Sequence, residues 1–303
     1  MIVLLTTYYN PCSYASRASL LQKFVKHARE DLRLPLVVVK ASPHFPDEVQ
    51  VYFDVNDREV SVKCSGDALW LKENLLNIGL KYLPEDCTHV CWCDADIFFV
   101  DAKSFRTRLE RCLQTHQVVQ CFSTAVDEGG ADQVTEKVHH SAAFSLQHGV
   151  PNVSTEREST FHSGYCWAAS TASLSAGFFE GSVVGGGDRL FLRTLVEEDP
   201  PEEYVELYGA SYLRWRQEFL GSTGGRYLPG CLSQIIHHGF HGKKKNRGYH
   251  ERYKVLRSRK YDPALHLTKR PNGVIDWSPE CPPQLVRDVR AYFVSRREDE
   301  AQL

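Results

Sequence analysis

The chain has 303 residues, of which 42% are hydrophobic and 24% charged, as in an ordinary globular protein. This composition excludes a disordered chain, a fibre and a small disulfide-bonded scaffold. The 36 Lys and Arg residues against 38 Asp and Glu residues give a net charge of −2. That balance excludes a globally basic nucleic-acid binder, although not a local basic patch.

Strands and helices are predicted to alternate along the first 125 residues. Apolar runs rich in β-branched residues indicate strands, and apolar residues at three- and four-residue spacing indicate helices. The predicted strands are 2–7, 36–39, 89–93 and 118–122, and the predicted helices are 17–31, 67–83 and 103–115. This order predicts an α/β fold with a central mixed sheet.

The rest of the chain is less regular. Residues 126–160 are polar and contain clustered charge, which indicates a long loop or excursion within one domain. A helix is predicted at 282–296, followed by a charged tail that is expected to fray. We therefore expect one domain over residues 1–277, with residues 278–303 forming a C-terminal helix and charged tail.

The ten cysteines and the first residues predict the compartment. The sequence has no Cys-x-x-Cys pair and no Cys/His set with zinc spacing, and Cys91 and Cys93 are expected to be buried core residues on one strand face. The first residues lack the features of a signal peptide, and no apolar run reaches the roughly 18 residues of a membrane span. We expect a soluble intracellular protein (nuclear, cytoplasmic, or viral or phage-encoded in a host cell) with no membrane span.

The strongest chemical signal is Asp94-Ala95-Asp96, which directly follows the predicted strand 89–93. Open α/β sheets bind ligands at the carboxyl ends of their strands. Two carboxylates at that position are hard oxygen ligands for Mn²⁺ or Mg²⁺, which also bind phosphate oxygens. An Asp-x-Asp also occurs in solvated turns, but the buried strand before it favours a metal–phosphate site.

A second signal is the segment 237–247, which combines three histidines, two glycines and four cationic residues. A histidine of this segment is a candidate metal ligand. The Lys and Arg side chains suit a diphosphate or a nucleic-acid backbone. The alternative is an exposed basic loop with incidental histidines.

Two further stretches carry candidate site residues. The glycines at 185–187 allow close approach of the backbone to a ligand, and Asp188 is a candidate general base or only a helix cap. Lys72 and Glu73 lie off the apolar face of the predicted helix 67–83, and Asn77 lies near Glu73 at i+4. They are either site residues or part of a solvated helix face.

Together these residues resemble a GT-A glycosyltransferase, a nucleotide-sugar enzyme with one Rossmann-like domain. More narrowly, the chain resembles the glycosyltransferases found beside TET/base-J-type thymine hydroxylases in phages and kinetoplastids. The segments that carry the resemblance are LWLKENLLN at 69–77, CWCDADIFF at 91–99, HSGYCWAA at 162–169, GGGD at 185–188, and HGFHG at 238–242 continuing through Asn246, Arg247, Tyr249 and Arg252 to Tyr261-Asp262-Pro263.

The resemblance implies a role for each matching residue. Asp188 would be the catalytic base. The implied metal ligands are Asp94, Asp96, and His238 or His241, with Mn²⁺ or Mg²⁺ as cofactor. The implied nucleotide-sugar contacts are Thr6, Thr7, Tyr8, Lys72, Asn77, Asp94, Lys244 and Arg247. The implied sugar and acceptor cleft is formed by Gly164, Trp167, Gly186 and Gly187. Candidate contacts to a DNA backbone are Lys243, Lys245 and Arg252.

The implied activity is transfer of a sugar, glucose in these relatives, from a UDP-sugar to a 5-hydroxymethyl-pyrimidine such as hydroxymethyluracil in DNA. A base on the acceptor side of the sugar implies inversion. Two alternatives stay open: a glycosyltransferase of the same fold acting on a glycan, lipid or protein, and a non-catalytic module that binds a nucleotide-sugar. The stretch 243–260 contains nine Lys or Arg residues and one acid, Glu251, so a local basic face exists despite the neutral total.

Overall fold

The computed structural model describes residues 1–44, 57–129, 135–150, 161–248 and 251–299. Its strands are β1 (Ile2–Tyr9), β2 (Leu36–Ser42), β3 (Arg58–Lys63), β4 (His89–Cys93), β5 (Ile97–Phe99), β6 (Val118–Gln120), β7 (Thr124–Glu128), β8 (Thr135–Ser141), β9 (Phe161–His162), β10 (Cys166–Ser170), β11 (Gly230–Cys231), β12 (Ile235–His238), β13 (Leu267–Lys269) and β14 (Ile275–Trp277).

The α-helices are α1 (Ala15–His27), α2 (Lys72–Leu80), α3 (Ala102–Leu113), α4 (Ala142–Gln147), α5 (Gly187–Val196), α6 (Glu202–Ser222), α7 (Arg252–Ser258), α8 (Pro263–His266) and α9 (Pro283–Ser295). A π-helical turn at Ala28–Leu32 extends α1, and short 3-10 helices lie at Ala172–Leu174 and Lys244–Arg247. Within the described ranges, no helix is both long enough and apolar enough to cross a membrane.

The central sheet has seven strands in the order β11-β6-β10-β4-β1-β2-β3. Strand β1 is parallel to β2 and β4, and β2 is parallel to β3, whereas β10 runs antiparallel to both β4 and β6. A second sheet has the order β5-β12-β7-β8-β9, and β13 and β14 form a separate pair. The predicted α/β fold with a central mixed sheet is confirmed.

Alternate residues of β1 contact two apolar clusters, one on each face of the central sheet. Leu4 packs in a cluster with Leu21 and Phe24 of α1, while Leu5 belongs to the cluster that includes Leu75 of α2 and residues of α5 and α6. The strand is apolar on both faces because helices cover both sides. Strands β1 and β4 are therefore largely buried, and Asp94 and Asp96 follow directly after β4.

Three cysteines from neighbouring parts of the central sheet lie side by side in the core. Cys91, Cys121 and Cys166 have no exposed surface, and the Sγ atom of Cys91 is 3.5 Å from that of Cys166 and 3.9 Å from that of Cys121. Cys93 is also buried, so the prediction that Cys91 and Cys93 are core residues is confirmed. The clustering of three thiols was not visible in the sequence, because they lie on three different strands or strand ends.

The segment 126–160 differs from the long loop that the sequence predicts. Its described residues include the end of β7, all of β8 and α4, while 130–134 and 151–160 lie outside the described residues. The inward side chains here are polar, notably Asp127 and His139, which are both buried. A buried polar pair gives no apolar alternation, and the strand pattern was therefore missed.

The expectation of a frayed tail after α9 is wrong for residues 296–299. The side chains of Arg296 and Glu298 are buried, and the carboxylate of Asp299 accepts hydrogen bonds from the backbone N–H groups of Ala15 and Ser16 at 2.8 and 3.0 Å. These bonds satisfy free N–H groups at the start of α1. The tail is held against the rest of the molecule and reaches the cavity described next.

Candidate active site

A cavity of about 1280 Å³ opens where β1 and β4 end. Because the two strands are parallel, their carboxyl ends meet at one edge of the sheet. The cavity brings together most of the residues that the sequence singled out. The predicted residues that line it are Thr7, Tyr8, Lys72, Asp94, Asp96, Gly164, Gly186, Asp188, His238, His241, Arg247 and Arg252.

Asp96, His238 and His241 form a group with ligand atoms within 4.8 Å of one another. The pairing of β12 with β5 positions them, since His238 lies opposite Ile97 and the N–H of Gly239 donates to the carbonyl of Asp96 at 2.8 Å. Asp96 Oδ2 is 3.0 Å from His241 Nε2 and 3.7 Å from His238 Nε2. Asp96 Oδ1 is buried and has no hydrogen-bond partner among the described residues.

The hydrogen bonds around His241 fix its tautomer. The guanidinium of Arg247 has only donors, so its Nη2, 3.0 Å from His241 Nε2, requires that nitrogen to accept. The proton is then on Nδ1, which donates to Glu298 Oε2 at 3.3 Å. Burial, followed by the Arg247 charge, lowers the pKa of His241 and keeps the ring neutral.

In that tautomer the one lone pair of His241 Nε2 accepts from Arg247, and a carboxylate oxygen of Asp96 lies 3.0 Å from the same nitrogen. A metal ion bound by His241 Nε2 would take the place of the Arg247 donor and would lie beside the Asp96 carboxylate. The unpartnered Asp96 Oδ1 adds a third oxygen or nitrogen donor to the same place. The donor set thus fits a divalent metal ion.

His238 also has a carboxylate behind its ring. Its Nδ1 is 2.8 Å from Asp127 Oδ1, while its Nε2 points towards Asp96. Burial lowers the pKa of His238, but the charge of Asp96 and the hydrogen bond with Asp127 outweigh it and raise the pKa to about 9. The Asp127 carboxylate also accepts from Tyr165 Oη at 2.7 Å and lies 2.5 Å from His139.

Asp94 contributes to a different cluster from Asp96. Lys72 Nζ, at the start of α2, is 2.6 Å from Asp94 Oδ1 and 2.9 Å from Asp188 Oδ2. Burial lowers the pKa of Lys72, but Asp188 and Asp94 outweigh it and hold the pKa well above its usual range. Burial raises the pKa of Asp94 to about 6 although Lys72 opposes the shift. Only Asp96 of the Asp-x-Asp motif belongs to the three-residue group of possible metal ligands.

The glycines at 185–187 make room for side chains of the protein itself. A Cβ on Gly187 would overlap Glu73 Oε1, and a Cβ on Gly186 would overlap Tyr253 Oη, while Gly186 also has φ +98°. This corrects the expectation that Gly187 lines the sugar cleft, because Glu73 fills that space. Gly164 is closer to the chemistry, since a Cβ there would lie 2.9 Å from Asp188 Oδ2.

Three predicted site residues are structural, and they are absent from the described lining of the cavity. Thr6 is fully buried and its hydroxyl donates to the Cys93 carbonyl at 2.8 Å. Asn77 bonds both backbone groups of Phe178, at 2.7 and 2.9 Å. Trp167 is 1% exposed, and its indole N–H donates to the Ser163 carbonyl at 2.9 Å. These contacts correct the roles expected for Thr6, Asn77 and Trp167.

The basic stretch is less free than its composition suggests. Lys243 is exposed and lies outside the described cavity lining, and the side chains of Lys244 and Lys245 lie outside the described part of the chain. Arg252 lines the cavity, with its guanidinium 4.9 Å from the ring centre of Tyr253. Acids neutralise several of the others, in the pairs Arg257–Glu206, Lys254–Glu251 and Arg259–Asp288.

Sequence reasoning missed the carboxylates behind the two histidines. Asp127 lies in the segment 126–160, for which the sequence predicts a loop, and Glu298 lies in the tail, for which it predicts fraying. No spacing or motif connects either residue to 237–247 in the sequence.

No protein-family model and no curated protein sequence matches the chain. Among solved structures it is similar to a Pyrobaculum calidifontis mannosyltransferase in complex with GDP-Man and Mn²⁺, at 12% identity and TM-score 0.44, covering 98% of this chain and 68% of that one. It is also similar to 4-diphosphocytidyl-2C-methyl-D-erythritol synthase of Anaerococcus prevotii (11%, TM-score 0.40, 77% and 86%) and to S. aureus TarS (12%, TM-score 0.40, 84% and 64%). These likenesses are distant and identify no family for this chain.

Proposed function

We propose that this chain is a metal-dependent GT-A glycosyltransferase that moves a sugar from a UDP-sugar to a hydroxyl acceptor. The observation that carries the proposal is one cavity that contains two groups of side chains. Asp96, His238 and His241 can bind a metal ion, and Lys72 lies between the carboxylates of Asp94 and Asp188. A binding module needs no carboxylate directed at an acceptor. The combination therefore favours an enzyme over a non-catalytic nucleotide-sugar-binding module.

Asp96, His238 and His241 would hold the metal ion. Two imidazoles and one carboxylate suit Mn²⁺ better than Mg²⁺, because Mg²⁺ prefers an all-oxygen shell. When bound, the ion supplies positive charge that stabilises the UDP leaving group. The carboxylates Asp127 and Glu298 hold the rings with Nε2 directed at this position.

Asp188 would act as the general base. It takes the proton of the acceptor hydroxyl while the acceptor oxygen forms a bond to the anomeric carbon, and the bond from that carbon to the diphosphate oxygen breaks. Lys72 Nζ orients the carboxylate, through contacts of 2.9 and 3.0 Å to its two oxygens. A base on the acceptor side, opposite the leaving group, gives inversion.

Thr7 and Tyr8, which line the cavity at the end of β1, would contact the uridine, and Arg247, which also lines it, would contact the diphosphate. The cavity of about 1280 Å³ exceeds the range of about 300–1,000 Å³ that is typical of a single small-molecule pocket. A donor and part of an acceptor therefore fit together.

A hydroxymethyl-pyrimidine of DNA is the acceptor that we propose, with glucose as the first donor sugar to test. The cationic residues that line the cavity support it, since DNA backbones bind Lys and Arg. They include Lys137, Arg189, Arg252, Lys254 and Arg257. A duplex substrate must expose its target base by flipping it out of the stack.

A neutral glycan, lipid or protein acceptor is the second candidate. Glu202, Glu203 and Glu251 line the same cavity, and carboxylates suit sugar hydroxyls and repel phosphates. Arg257 and Lys254 are also paired with acidic residues, Glu206 and Glu251, which reduces the net positive charge of this part of the cavity lining.

The test is incubation with Mn²⁺, a panel of UDP-sugars and DNA that contains hydroxymethyluracil or hydroxymethylcytosine, read by mass spectrometry of the nucleosides. We expect one hexose added per modified base by the wild-type protein and none by Asp188→Asn. If UDP is released but no DNA product forms, the proposed DNA acceptor is refuted, and a glycan, lipid or protein becomes the proposed acceptor. Unchanged transfer by Asp188→Asn would refute the assigned base.

A further inference from the structure

The residues after α9 bring one buried carboxylate to the edge of the candidate metal site. The Glu298 side chain is 1% exposed, and its carboxylate contacts Arg17, Arg296 Nε at 2.7 Å and His241 Nδ1 at 3.3 Å. Two guanidinium groups and one imidazole therefore surround this carboxylate inside the protein.

The position of Glu298 is fixed from both sides. Asp299 binds the first N–H groups of α1, and Tyr14 Oη donates to the carbonyls of Phe293 and Val294 at 3.1 and 3.2 Å. The guanidinium of Arg296 stacks over the Trp70 ring at 5.3 Å. These contacts leave the carboxylate little freedom to move away from His241.

Both histidines of the candidate site thus have the same construction. Asp127 lies behind His238 and Glu298 lies behind His241, and each ring points Nε2 at Asp96. The position of Asp127 beside His238 follows from the second sheet, because β7 pairs directly with β12. Glu298 comes from the far end of the chain, 57 residues after His241, and no packing need of the sheet places it there.

We propose that Glu298 is a positioning residue of the metal site. It accepts a hydrogen bond from His241 Nδ1 and so orients the ring with Nε2 towards the position of a divalent cation. The inference rests on the metal site of the proposed function. It makes residues 296–299 part of the active site, although they lie outside the core of the fold. Loss of a carboxylate behind a metal-binding histidine typically weakens metal binding about 10- to 100-fold.

The competing role of Glu298 is charge balance alone, because Arg17 and Arg296 are cations that need a buried anion. The two roles make different predictions for the double variant Arg296→Met/Glu298→Met, which removes one cation and one anion together. If charge balance is the whole role, the double variant binds metal as the wild type does. If Glu298 positions His241, the double variant binds metal more weakly than the wild type does.

The experiment measures Mn²⁺ dissociation constants from the electron paramagnetic resonance signal of free Mn²⁺. The wild-type chain is compared with Arg296→Met, Arg296→Met/Glu298→Met and Glu298→Gln, and with Glu280→Gln as an exposed control that also loses one carboxylate. Near-UV circular dichroism of each variant establishes that it is folded. We expect the double variant to bind Mn²⁺ at least tenfold more weakly than the wild type and than Arg296→Met, and we expect Glu280→Gln to bind it as the wild type does.

Binding by the folded double variant within threefold of the wild type would overturn the proposal. If that variant does not fold, Glu298→Gln decides, because its amide oxygen still accepts the hydrogen bond from His241 Nδ1 but carries no charge. A dissociation constant within threefold of the wild type supports positioning, and a larger rise refutes it. Absence of Mn²⁺ binding by the wild type would remove both the metal site and this inference. Mn²⁺ binding without sugar transfer would refute the proposed function and leave the inference standing.

Discussion

Glu73 is a buried acid beside the catalytic candidates, and it gives the most quantitative prediction. It is 6% exposed and fills the space that Gly187 leaves at the start of α5. Burial raises the pKa of Glu73 from its ordinary value of 4.5 to about 8, with Lys72 opposing the shift and Asp188 adding to it. The side chain is therefore protonated in the folded protein at neutral pH.

The sign of the pH effect follows from the two states. Between pH 4.5 and about 8 the unfolded chain has lost the Glu73 proton while the folded chain keeps it, so stability falls as pH rises through this window. The two values differ by about 3.5 in pKa, and at about 1.36 kcal/mol for each pKa unit the loss is at most about 5 kcal/mol. Glu73→Gln stays neutral at every pH and removes this loss.

The assay is urea unfolding of the wild type and Glu73→Gln at pH 5 and pH 8.5. We expect the free energy of unfolding of Glu73→Gln, relative to the wild type, to be about 2 to 5 kcal/mol larger at pH 8.5 than at pH 5, which means a more stable variant at the higher pH. Glu85→Gln, at an exposed position, is the control and should show no such difference. If the free energies of unfolding of Glu73→Gln and the wild type differ by the same amount at pH 5 and at pH 8.5, the argument that burial raises the pKa of Glu73 is refuted.

Three further outcomes follow from the site and the core. Lys72→Met leaves the carboxylates of Asp94 and Asp188 without their shared cation. We therefore expect a free energy of unfolding about 3 kcal/mol lower by urea unfolding, and at least tenfold slower UDP release. Unchanged stability of this variant would show that Lys72 does not hold the two carboxylates together. Gly164→Ala should slow UDP release at least tenfold with little change in melting temperature, because its Cβ displaces Asp188, whereas Gly66→Ala, with open space around it, should act as wild type. Native protein should present at most three thiols to a disulfide reagent and all ten after unfolding, and fast reaction of more than three would contradict the buried core; the three partly exposed thiols are Cys12, Cys112 and Cys231.

The sequence predicted the parts of the fold that follow from local patterns. Continuous apolar runs predicted β1, β2 and β4 within two or three residues at each end, because strands covered on both faces contain few polar residues. The predicted helix 67–83 was too long, since α2 begins at Lys72, and the preceding apolar residues pack in the core without helical geometry. The Asp-x-Asp motif located the cavity because it follows a strand at the edge where ligands bind.

The contacts that complete the site depend on tertiary structure. Asp127 reaches His238 through the pairing of β7 with β12, and Glu298 reaches His241 through the docking of the tail on α1. Neither pairing leaves a periodic or motif signal in the sequence. The same holds for Lys72, which the sequence placed near the nucleotide-sugar but which the structure places between Asp94 and Asp188.

Release of UDP from UDP-glucose, measured with Mn²⁺ and with EDTA, tests the metal-dependent glycosyltransferase most directly. The assay includes a hydroxymethyluracil-containing DNA acceptor and compares the wild type with Asp96→Asn, which keeps the size of the side chain and weakens its metal binding. We predict UDP release by the wild type only with Mn²⁺, and at least a hundredfold less by Asp96→Asn. Equal release with EDTA, or by Asp96→Asn with Mn²⁺, would contradict a metal site at Asp96, His238 and His241.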